Sequence, residues 1–255
     1  LREYQKVGFQ WMKTLDSLGF GGILADDMGL GKTVQVIALL LDERERAGEE
    51  KLPSLIVCPA SLVYNWESEM EKFAPALKVL LVTGNAAERR EAVSRAASCD
   101  VLVTSYDLLR RDLELYRELE FRYQIIDEAQ YIKNAGTLSA KAVKSIRSRS
   151  RFALTGTPIE NRLGELWSIF DYLMPGFLFS YQKFKKEYET PVAKDGDREA
   201  LERLHGLIGP FILRRLKTQV LKELPDKLET VVYSRPEGMQ RELYTASAAL
   251  LKKKL

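Results

Sequence analysis

The sequence predicts an α/β fold in which a parallel β-sheet is flanked by helices. Up to Leu154, short apolar runs alternate with stretches of helical periodicity. Leu55–Cys58 is one such run, apolar throughout and stopped by Pro59, as expected of a strand buried on both faces. This alternation favours a doubly wound sheet, because each helix carries the chain from one strand to the next parallel strand. Ligands of such sheets bind at the carboxyl ends of the strands.

Each element is predicted from its own apolar pattern. Strands are predicted at 23–25, 55–58, 79–82, 101–103, 123–126 and 151–154. Helices are predicted over 1–15, 32–41, 61–73 and 86–97. Ser61 is expected to cap the third of these helices. Beyond Asn161 the pattern becomes wholly helical, over 163–173, 180–188, 198–208 and 212–221, before a strand at 228–233 and a last helix over 239–251.

Composition limits the class of protein. With 255 residues and 45% apolar content, the chain can bury the core of a large α/β domain, with or without a subdomain. No apolar run approaches the roughly 20 residues of a membrane span, and no signal peptide opens the chain, so no membrane association is predicted. Cys58 and Cys99 are expected to be buried free thiols of an intracellular protein, and His205 to be structural. The start at Leu1 without Met predicts a fragment of a longer protein.

Basic residues are concentrated towards the end of the chain. The formal net charge is +3, but residues 211–255 contain ten Lys or Arg and only five Asp or Glu. Arg214, Arg215 and Lys217 are the most notable of them. Such an excess suits either a salt-bridged, solvated helix face or a surface that meets nucleic acid or a partner, and charge alone leaves both interpretations open.

Residues 23–33, ILADDMGLGKT, are the stretch around which the chain is organised. A buried strand leads into a loop with Gly29 and Gly31, after which Lys32 and Thr33 open an apolar-periodic helix. Backbone N–H groups and the helix dipole bind phosphate at such a place. Lys32 would contact the β- and γ-phosphates, and the Thr33 hydroxyl would ligate Mg²⁺. The general pattern GxxxxGK[ST] begins with glycine, whereas Asp26 occupies that position here. The stretch predicts binding of a nucleoside triphosphate.

A second motif, YQIIDEAQ at 123–130, ends a predicted strand in two adjacent carboxylates. Beside a phosphate loop, Asp127 can hold Mg²⁺ and Glu128 can orient and deprotonate the attacking water. Taken alone, Asp-Glu after a strand is a common solvated turn. Combined with the phosphate loop, the pair predicts hydrolysis of the nucleotide.

Other polar residues gain a candidate role from their place relative to the phosphate loop. Gln5 precedes the loop, and a glutamine side chain can both donate to and accept from the Hoogsteen edge of adenine. Thr155 and Thr157 follow a further strand in RFALTGTP, where their hydroxyls could sense the γ-phosphate. Three more hydroxyl residues fall at predicted strand ends, where helix capping is the alternative role: Ser61, Thr104 and Ser105.

Six separated motifs resemble those of Swi/Snf-type ATPases of helicase superfamily two, in the same order. They are DDMGLGKT, CPASLVYNWESE, VTSYDLL, DEAQYIKN, LTGTPIEN and PFILRRLKTQVLKELPDK. The resemblance runs over nearly the whole chain and covers the first of the two RecA-like lobes of such motors. It implies an ATP and Mg²⁺ site, with adenine contacted by Gln5, phosphate by Met28, Gly29, Leu30, Gly31, Lys32 and Thr33, the metal held by Thr33 and Asp127, and catalysis by Glu128, Asp127 and Lys32. For nucleic-acid binding or its coupling to ATP it implies Ser61, Asn65, Thr104, Ser105, Thr155 and Thr157.

The resemblance also implies the arrangement of domains. Residues 1–173 would be the first RecA-like lobe, 174–227 a helical protrusion that follows the LTGTP motif, and 228–255 a return strand and the start of the connection to a second lobe. The family tolerates Asp26 at the first loop position. Gln130 stands where many eukaryotic members have His, which suggests a bacterial or archaeal member. A prokaryotic member would act in the cytoplasm at the nucleoid, and a eukaryotic one in the nucleus.

The function implied is ATP-dependent translocation on double-stranded DNA that remodels DNA-bound protein complexes. Double-stranded DNA, held mainly by its backbone, and the second lobe would be partners, and RNA polymerase or a nucleoid protein is a candidate partner. Catalytic arginines of the family belong to the second lobe, so this stretch alone is expected to be a nearly inactive ATPase. A strand-separating DNA or RNA helicase is one alternative, against which LVYNW and LRRLKTQVLKELP argue. A non-catalytic nucleotide-dependent interaction module is another, against which Glu128 argues.

Overall fold

The computed structural model describes residues 1–46, 48, 51–156, 163–220 and 237–252, with side chains to 248. The chain divides into two compact units, Leu1–Val220 and Leu221–Leu255. In the second unit the described element is a helix, Gly238–Lys252, which agrees with the helix predicted there. No helix within the described part of the chain has the length and apolar character needed to cross a membrane.

Within the described residues of the first unit, seven strands form one parallel sheet in the order β3-β4-β2-β5-β6-β1-β7. The strands are β1 Gly22–Leu24, β2 Ser54–Cys58, β3 Val79–Val82, β4 Val101–Ser105, β5 Glu120–Ile126, β6 Arg147–Leu154 and β7 Ile212–Leu213. The parallel α/β sheet predicted from the apolar runs is confirmed. β2 and β4 are buried along their whole length, as their apolar runs Leu55–Cys58 and Val101–Val103 predict.

Helices flank the sheet and connect its strands. Within the first unit they are α1 Glu3–Ser17, α2 Lys32–Arg46, α3 Val63–Phe73, α4 Ala86–Ser94, α5 Tyr106–Arg111, α6 Leu138–Ser145, α7 Leu163–Leu173, α8 Tyr181–Phe184, α9 Arg198–Ile208 and α10 Lys217–Val220. The helix of the second unit, Gly238–Lys252, is α11. The helix predicted over 180–188 is α-helical only in α8, and 185–189 continues as a π-helical turn.

Two local predictions are wrong. The helix predicted over 212–221 is instead β7, which pairs with Ile23 and Leu24 of β1, followed by the short α10. A run of two apolar residues is too short to show a helical or a strand periodicity. Their strand conformation is therefore determined by pairing with the edge of β1. Ser61 is not the cap of α3, because 60–62 form a 3₁₀ turn and Leu62 is the N-cap, with no capping side chain among the described residues. The strand predicted at 228–233 lies outside the described residues, and the domain boundaries stay predictions.

The two cysteines, both among the described residues, are buried free thiols, as predicted. Burial raises the pKa of Cys58 to about 12 and that of Cys99 to about 11. Because the thiolate is the reactive form, both side chains act as small apolar groups near neutral pH.

A polar cluster near the start of β5 and β6 holds α1 and α2 against the sheet. Asp16 of α1 accepts two hydrogen bonds from the Arg122 guanidinium, at 2.9 and 2.6 Å, and others from Tyr123 and Ser150. The Arg122 Nε also donates to Glu43 of α2 at 2.9 Å. Burial raises the pKa of Asp16, but the hydrogen bonds from Arg122 and Ser150 outweigh that effect and the net pKa lies below its usual value.

We expect Asp16→Asn to destabilise the fold by about 2 kcal/mol, less than a fully buried pair would cost, because Glu43 still faces Arg122 and solvent screens part of the charge. Chemical denaturation of both proteins measures this difference. A depressed carboxyl pKa stabilises the fold above the unfolded value of about 3.9, and this stabilisation is lost as pH falls through the lower, folded value. The difference between the two proteins should therefore shrink in acid. Glu120→Gln, in an exposed ion pair with Arg149, is the control and should change stability by less than about 0.5 kcal/mol. Equal losses in the two variants would contradict the prediction.

Candidate nucleotide-binding site

The loop between β1 and α2 has the backbone conformation of a phosphate loop. Gly29 and Gly31 have positive φ values, 84° and 75°, which glycine adopts without strain. A Cβ on Gly31 would also lie 2.5 Å from the Gln5 amide nitrogen. α2 begins at Lys32, whose ammonium donates to the carbonyl oxygen of Asp26 at 2.6 Å. This contact lies at the place where the phosphate oxygens of a nucleotide would be expected to bind the ammonium.

Acidic groups surround the Lys32 ammonium. Burial lowers its pKa, and the negative charges of Asp26, Asp127 and Glu128 oppose that effect by attracting the charged form. β1 and β5 both pair in parallel with β6, so the loop that follows β1 and the carboxylates that follow β5 lie at the same edge of the sheet. The two predicted halves of the site therefore meet at one edge of the sheet.

Gln5 contacts the phosphate loop through its side chain. Its Nε2 donates to the carbonyl oxygen of Leu30 at 3.1 Å, and its Oε1 accepts from the backbone N–H of Arg2. The Tyr4 hydroxyl donates to the same Leu30 carbonyl at 3.1 Å. α1 is thus tied to the loop by two hydrogen bonds, while the Leu30 side chain is fully buried and Met28 is exposed. The adenine contact of Gln5 stays a prediction.

Asp26 explains the departure from glycine at the first loop position. Its carboxylate is fully buried and accepts from the Arg215 guanidinium on both oxygens, with Nε at 2.8 Å from Oδ1. Gln35 of α2 donates to Asp26 Oδ2 at 3.2 Å and accepts from Arg215 Nη2 at 2.8 Å. A Cβ on Gly8 of α1 would lie 1.9 Å from Gln35 Oε1, so only glycine leaves room for this cluster. We call Asp26, Arg215 and Gln35 the loop latch.

The segment that carries Arg215 runs alongside the phosphate loop. The N–H of Ala25 donates to the Leu213 carbonyl at 2.7 Å, and the N–H of Asp27 donates to the Arg215 carbonyl at 3.0 Å. The Lys217 N–H donates to the Asp27 carboxylate, also at 3.0 Å. The Lys217 ammonium lies 3.5 Å from where a Cβ of Gly29 would be, so a second cation lies over the loop. The sequence is consistent with a salt-bridged helix face for this segment. In the structure, however, Arg215 precedes α10 and its guanidinium packs against the loop.

Asp127, the first of the two acidic residues at the end of β5, accepts hydrogen bonds on both carboxylate oxygens and on its backbone carbonyl. Asp127 Oδ1 accepts from the backbone N–H of Glu128 at 2.9 Å, and Oδ2 accepts from the Trp66 indole N–H at 3.0 Å. The Tyr106 hydroxyl donates to the Asp127 carbonyl at 2.7 Å. Burial raises the pKa of Asp127, and the hydrogen bond from Trp66 acts in the opposite direction. The next residue, Glu128, has φ 52°. This left-handed backbone conformation ends the extended chain of β5.

A hydrogen-bonded chain links Glu128 to the end of β6. Gln130 Nε2 donates to Glu128 Oε2 at 2.7 Å, and Gln130 Oε1 accepts from the Thr155 hydroxyl at 3.4 Å. A Cβ on the next residue, Gly156, would lie 2.9 Å from the Met28 side chain. The third predicted motif therefore lies against the phosphate loop and is linked to Glu128 through Gln130, while Thr157 lies outside the described residues.

The other predicted nucleic-acid residues differ in exposure. Ser61, in the 3₁₀ turn before α3, and Asn65, in the first turn of α3, are exposed. Thr104 is fully buried and donates to the Val82 carbonyl at 3.3 Å, while Ser105 is buried and caps α5 through the Leu108 N–H. Thr155 is buried as well. In this conformation the exposed pair can meet a phosphate backbone directly, whereas a coupling role of the buried hydroxyls would act through their internal contacts.

The oxygen donors at the site fit a magnesium ion. Among the described residues no group of three or more His, Cys, Asp or Glu could hold a metal by itself. Mg²⁺ in nucleotide sites takes only one or two protein oxygens and completes its shell with phosphates and water. The Thr33 hydroxyl and the Asp127 carboxylate are oxygen donors of that kind and number, and their binding of Mg²⁺ stays a prediction.

A family model of the SNF2-related domain matches residues 4–255. The chain belongs to this family. The SWI2/SNF2 ATPase core of Sulfolobus solfataricus, solved in complex with double-stranded DNA, is 45% identical to this SNF2-related chain, with a TM-score of 0.81 over 99% of it. The prediction of a RecA-like lobe of a Swi/Snf-type, superfamily-two ATPase is confirmed.

Two curated relatives extend the comparison. An uncharacterized ATP-dependent helicase of Mycoplasma genitalium is 45% identical over 244 residues, which cover 96% of the SNF2-related chain and 23% of the relative. The TATA-binding protein-associated factor MOT1 of Saccharomyces cerevisiae is 42% identical over an alignment of 265 positions, which covers 96% of this chain and 14% of that protein. The chain spans less than a quarter of either relative and 53% of the Sulfolobus chain.

The loop latch should contribute strongly to the stability of the SNF2-related lobe. Arg215→Ala leaves the Asp26 charge buried without its partner, which costs about 3–5 kcal/mol, and nucleotide affinity should fall because the loop loses its anchor. Chemical denaturation and calorimetric nucleotide titration measure the two effects. Arg203→Ala, which removes an exposed ion pair with Glu199, is the matched control and should change neither.

The close packing at Gly8 offers a second test of the latch. Gly8→Ala should destabilise the protein, because the added methyl group displaces the Gln35 side chain. Gly206→Ala, at a helical glycine with nothing within 4 Å of the new Cβ, should instead stabilise it by roughly 0.5–1 kcal/mol. The same sign for both glycine variants would contradict the latch.

Proposed function

We propose that this lobe binds Mg²⁺ and ATP and, within a longer chain, hydrolyses ATP to translocate along double-stranded DNA. The observation that carries the proposal is the position of Lys32 and of the Asp127–Glu128 pair at the same carboxyl edge of the sheet, where β1 and β5 both pair with β6. A cation on a glycine loop and a pair of carboxylates at the end of β5 are the parts that phosphoryl transfer requires.

Each residue of the site has a role in this proposal. Lys32 exchanges its carbonyl contacts for the β- and γ-phosphates, and Gln5 contacts adenine. The Thr33 hydroxyl and Asp127 would hold Mg²⁺, which neutralises charge on the phosphates when it is bound. Glu128 orients the attacking water and takes its proton. Gln130 holds the Glu128 carboxylate, so the base is oriented before nucleotide arrives.

Two observations support double-stranded DNA as the polymer along which the protein translocates. They are the Sulfolobus complex and the exposed residues at the start of α3. Ser61 and Asn65 would contact the phosphate backbone. Such contacts do not distinguish one base sequence from another. Remodelling of DNA-bound protein complexes is supported by the likeness to a TATA-binding protein-associated factor. RNA polymerase or a nucleoid protein is the partner we propose for a prokaryotic member, which would act at the nucleoid. A eukaryotic member would act in the nucleus.

Strand separation is the second candidate, since the Mycoplasma relative is named an ATP-dependent helicase. A duplex-unwinding assay decides between the two. Translocation without release of single strands supports our proposal, and release of single strands would replace it with a helicase activity.

The role of a second RecA-like lobe follows from the geometry of a half-cleft. One lobe leaves part of the γ-phosphate in water, where charges are screened and water must reorganise during the reaction. A second lobe would exclude that water and supply arginine, an addition worth about 10³–10⁵ in rate. DNA that spans both lobes would favour closure.

Variants of the two charged groups separate binding from hydrolysis. Lys32→Ala should abolish ATP binding by the full-length protein, because the phosphates lose their cation. Glu128→Gln should spare binding and lower turnover by about 10²–10⁴, the usual contribution of a general base. Calorimetry and phosphate release measure the two properties. Lys6→Ala, at an exposed lysine of α1, is the control and should leave both unchanged. Near-normal turnover of Glu128→Gln would remove Glu128 from the role of base.

Residues 1–255 alone should show little ATPase activity and no stimulation by DNA. Their DNA binding should be weak, independent of sequence and steeply dependent on salt, because the contacts are to phosphates. Phosphate release by this fragment and by the full-length protein, each with and without duplex DNA, measures the first property. Fluorescence anisotropy of labelled duplexes at several salt concentrations measures the second. A fragment as fast as the DNA-stimulated full-length protein would contradict the two-lobe mechanism.

A further inference from the structure

Among the described residues of α3, Trp66 is the one whose side chain hydrogen-bonds to the acidic pair. It is 1% exposed, and its indole Nε1 donates to Asp127 Oδ2 at 3.0 Å. The other two tryptophans of the chain donate to backbone carbonyls, Trp11 to Pro210 and Trp167 to Phe179. An indole N–H can donate only one hydrogen bond. At Trp66 that single bond goes to a carboxylate that we assign to the metal.

The Asp127 side chain depends on this bond for its orientation. One oxygen is held by the backbone N–H of the next residue, and the other is held by Trp66. The Tyr106 hydroxyl fixes the backbone carbonyl of Asp127 but does not contact its carboxylate. Rotation of the carboxylate is therefore opposed from outside its own strand by the indole.

The opposite face of the same helical turn is open to solvent. Tyr64 and Asn65 are exposed, whereas Val63, Trp66 and Met70 are buried. Neighbouring residues of a helix point about 100° apart, so one turn presents Asn65 outwards and Trp66 inwards. A fully packed core transmits small displacements, because its side chains have no room to absorb them. A displacement of α3 caused from outside would therefore reach the indole.

We propose that Trp66 is a positioning residue: it orients Asp127 for the metal and transmits displacement of the exposed face of α3 to that carboxylate. The proposal rests on the proposed function, since it assigns Asp127 to Mg²⁺. Groups that hydrogen-bond a metal ligand from behind typically contribute 10–100-fold to metal affinity. The effect of Trp66 should therefore appear in the Mg²⁺ dependence of nucleotide binding and not in metal-free binding.

The test uses the full-length protein and the non-hydrolysable analogue adenylyl imidodiphosphate. Calorimetry measures its affinity with and without MgCl₂ for the wild type, Trp66→Phe and Trp167→Phe. Phenylalanine keeps an aromatic ring and removes the N–H donor. We expect Trp66→Phe to lose about tenfold of the gain in affinity that Mg²⁺ provides, with metal-free affinity unchanged. Trp167→Phe removes an indole hydrogen bond of similar length, 3.2 Å, and should keep the whole gain.

A double-mutant cycle separates positioning from a general loss of packing. If Trp66 acts through Asp127, adding Trp66→Phe to Asp127→Ala should cause no further loss of the Mg²⁺-dependent gain. Independent losses in the cycle would overturn the proposal, as would a full Mg²⁺ gain in Trp66→Phe. A wild type that binds the analogue with no Mg²⁺ dependence would overturn the proposed metal site itself.

The transmission step has its own optical readout. In a full-length variant with Trp11→Phe and Trp167→Phe, Trp66 is the tryptophan of this lobe, and tryptophans outside the lobe are likewise replaced. Its emission should shift when Mg²⁺ and the analogue are added, and shift again on addition of duplex DNA. The same variant with Ser61→Ala and Asn65→Ala should keep the first shift and lose the second. A DNA-induced shift that survives both substitutions would overturn transmission through α3.

Discussion

Asp26 is buried where β1 becomes the phosphate loop, and its charge is stable there because Arg215 meets both of its oxygens. An isolated buried carboxylate would lose several kcal/mol of hydration or take up a proton. The guanidinium fork fits a carboxylate with two parallel hydrogen bonds, which a lysine cannot reproduce. Gln35 completes the set by contacting both partners. The start of the loop is thus fixed by charge and geometry together.

This one ion pair orders distant parts of the chain. Asp26 and Arg215 are 189 residues apart in the sequence, so the loop latch joins the start of the first unit to its end. β7 pairs through two residues, and the segment after it continues along the loop through backbone hydrogen bonds to Ala25 and Asp27. A two-residue strand holds little by itself, since each net hydrogen bond contributes about 1 kcal/mol. The buried ion pair supplies the specificity that places the segment against the loop.

The sequence predicted those parts of the fold that depend on local pattern. Strands such as Leu55–Cys58 are apolar throughout, and burial on both faces follows from that composition. Lys32 and Asp127 were predicted to lie at one edge because the carboxyl ends of parallel strands meet there. Ser61 failed as a cap because a 3₁₀ turn intervenes, a choice that the local sequence does not distinguish from a helix start. Arg215 was noted for its charge, but its partner could not be inferred from spacing.

Gln130 connects Glu128 to the end of β6 through a side chain that does not titrate near neutral pH. Its amide donates to Glu128 and accepts from Thr155, so both ends of the side chain are used. A histidine can also donate and accept, but its charge changes near neutral pH, where protonation turns its acceptor nitrogen into a donor. The Thr155 hydroxyl would then have to reverse its hydrogen bond. A glutamine amide does not titrate near neutral pH, so the hydrogen bonds that join Glu128 to Thr155 through Gln130 keep their direction across that range.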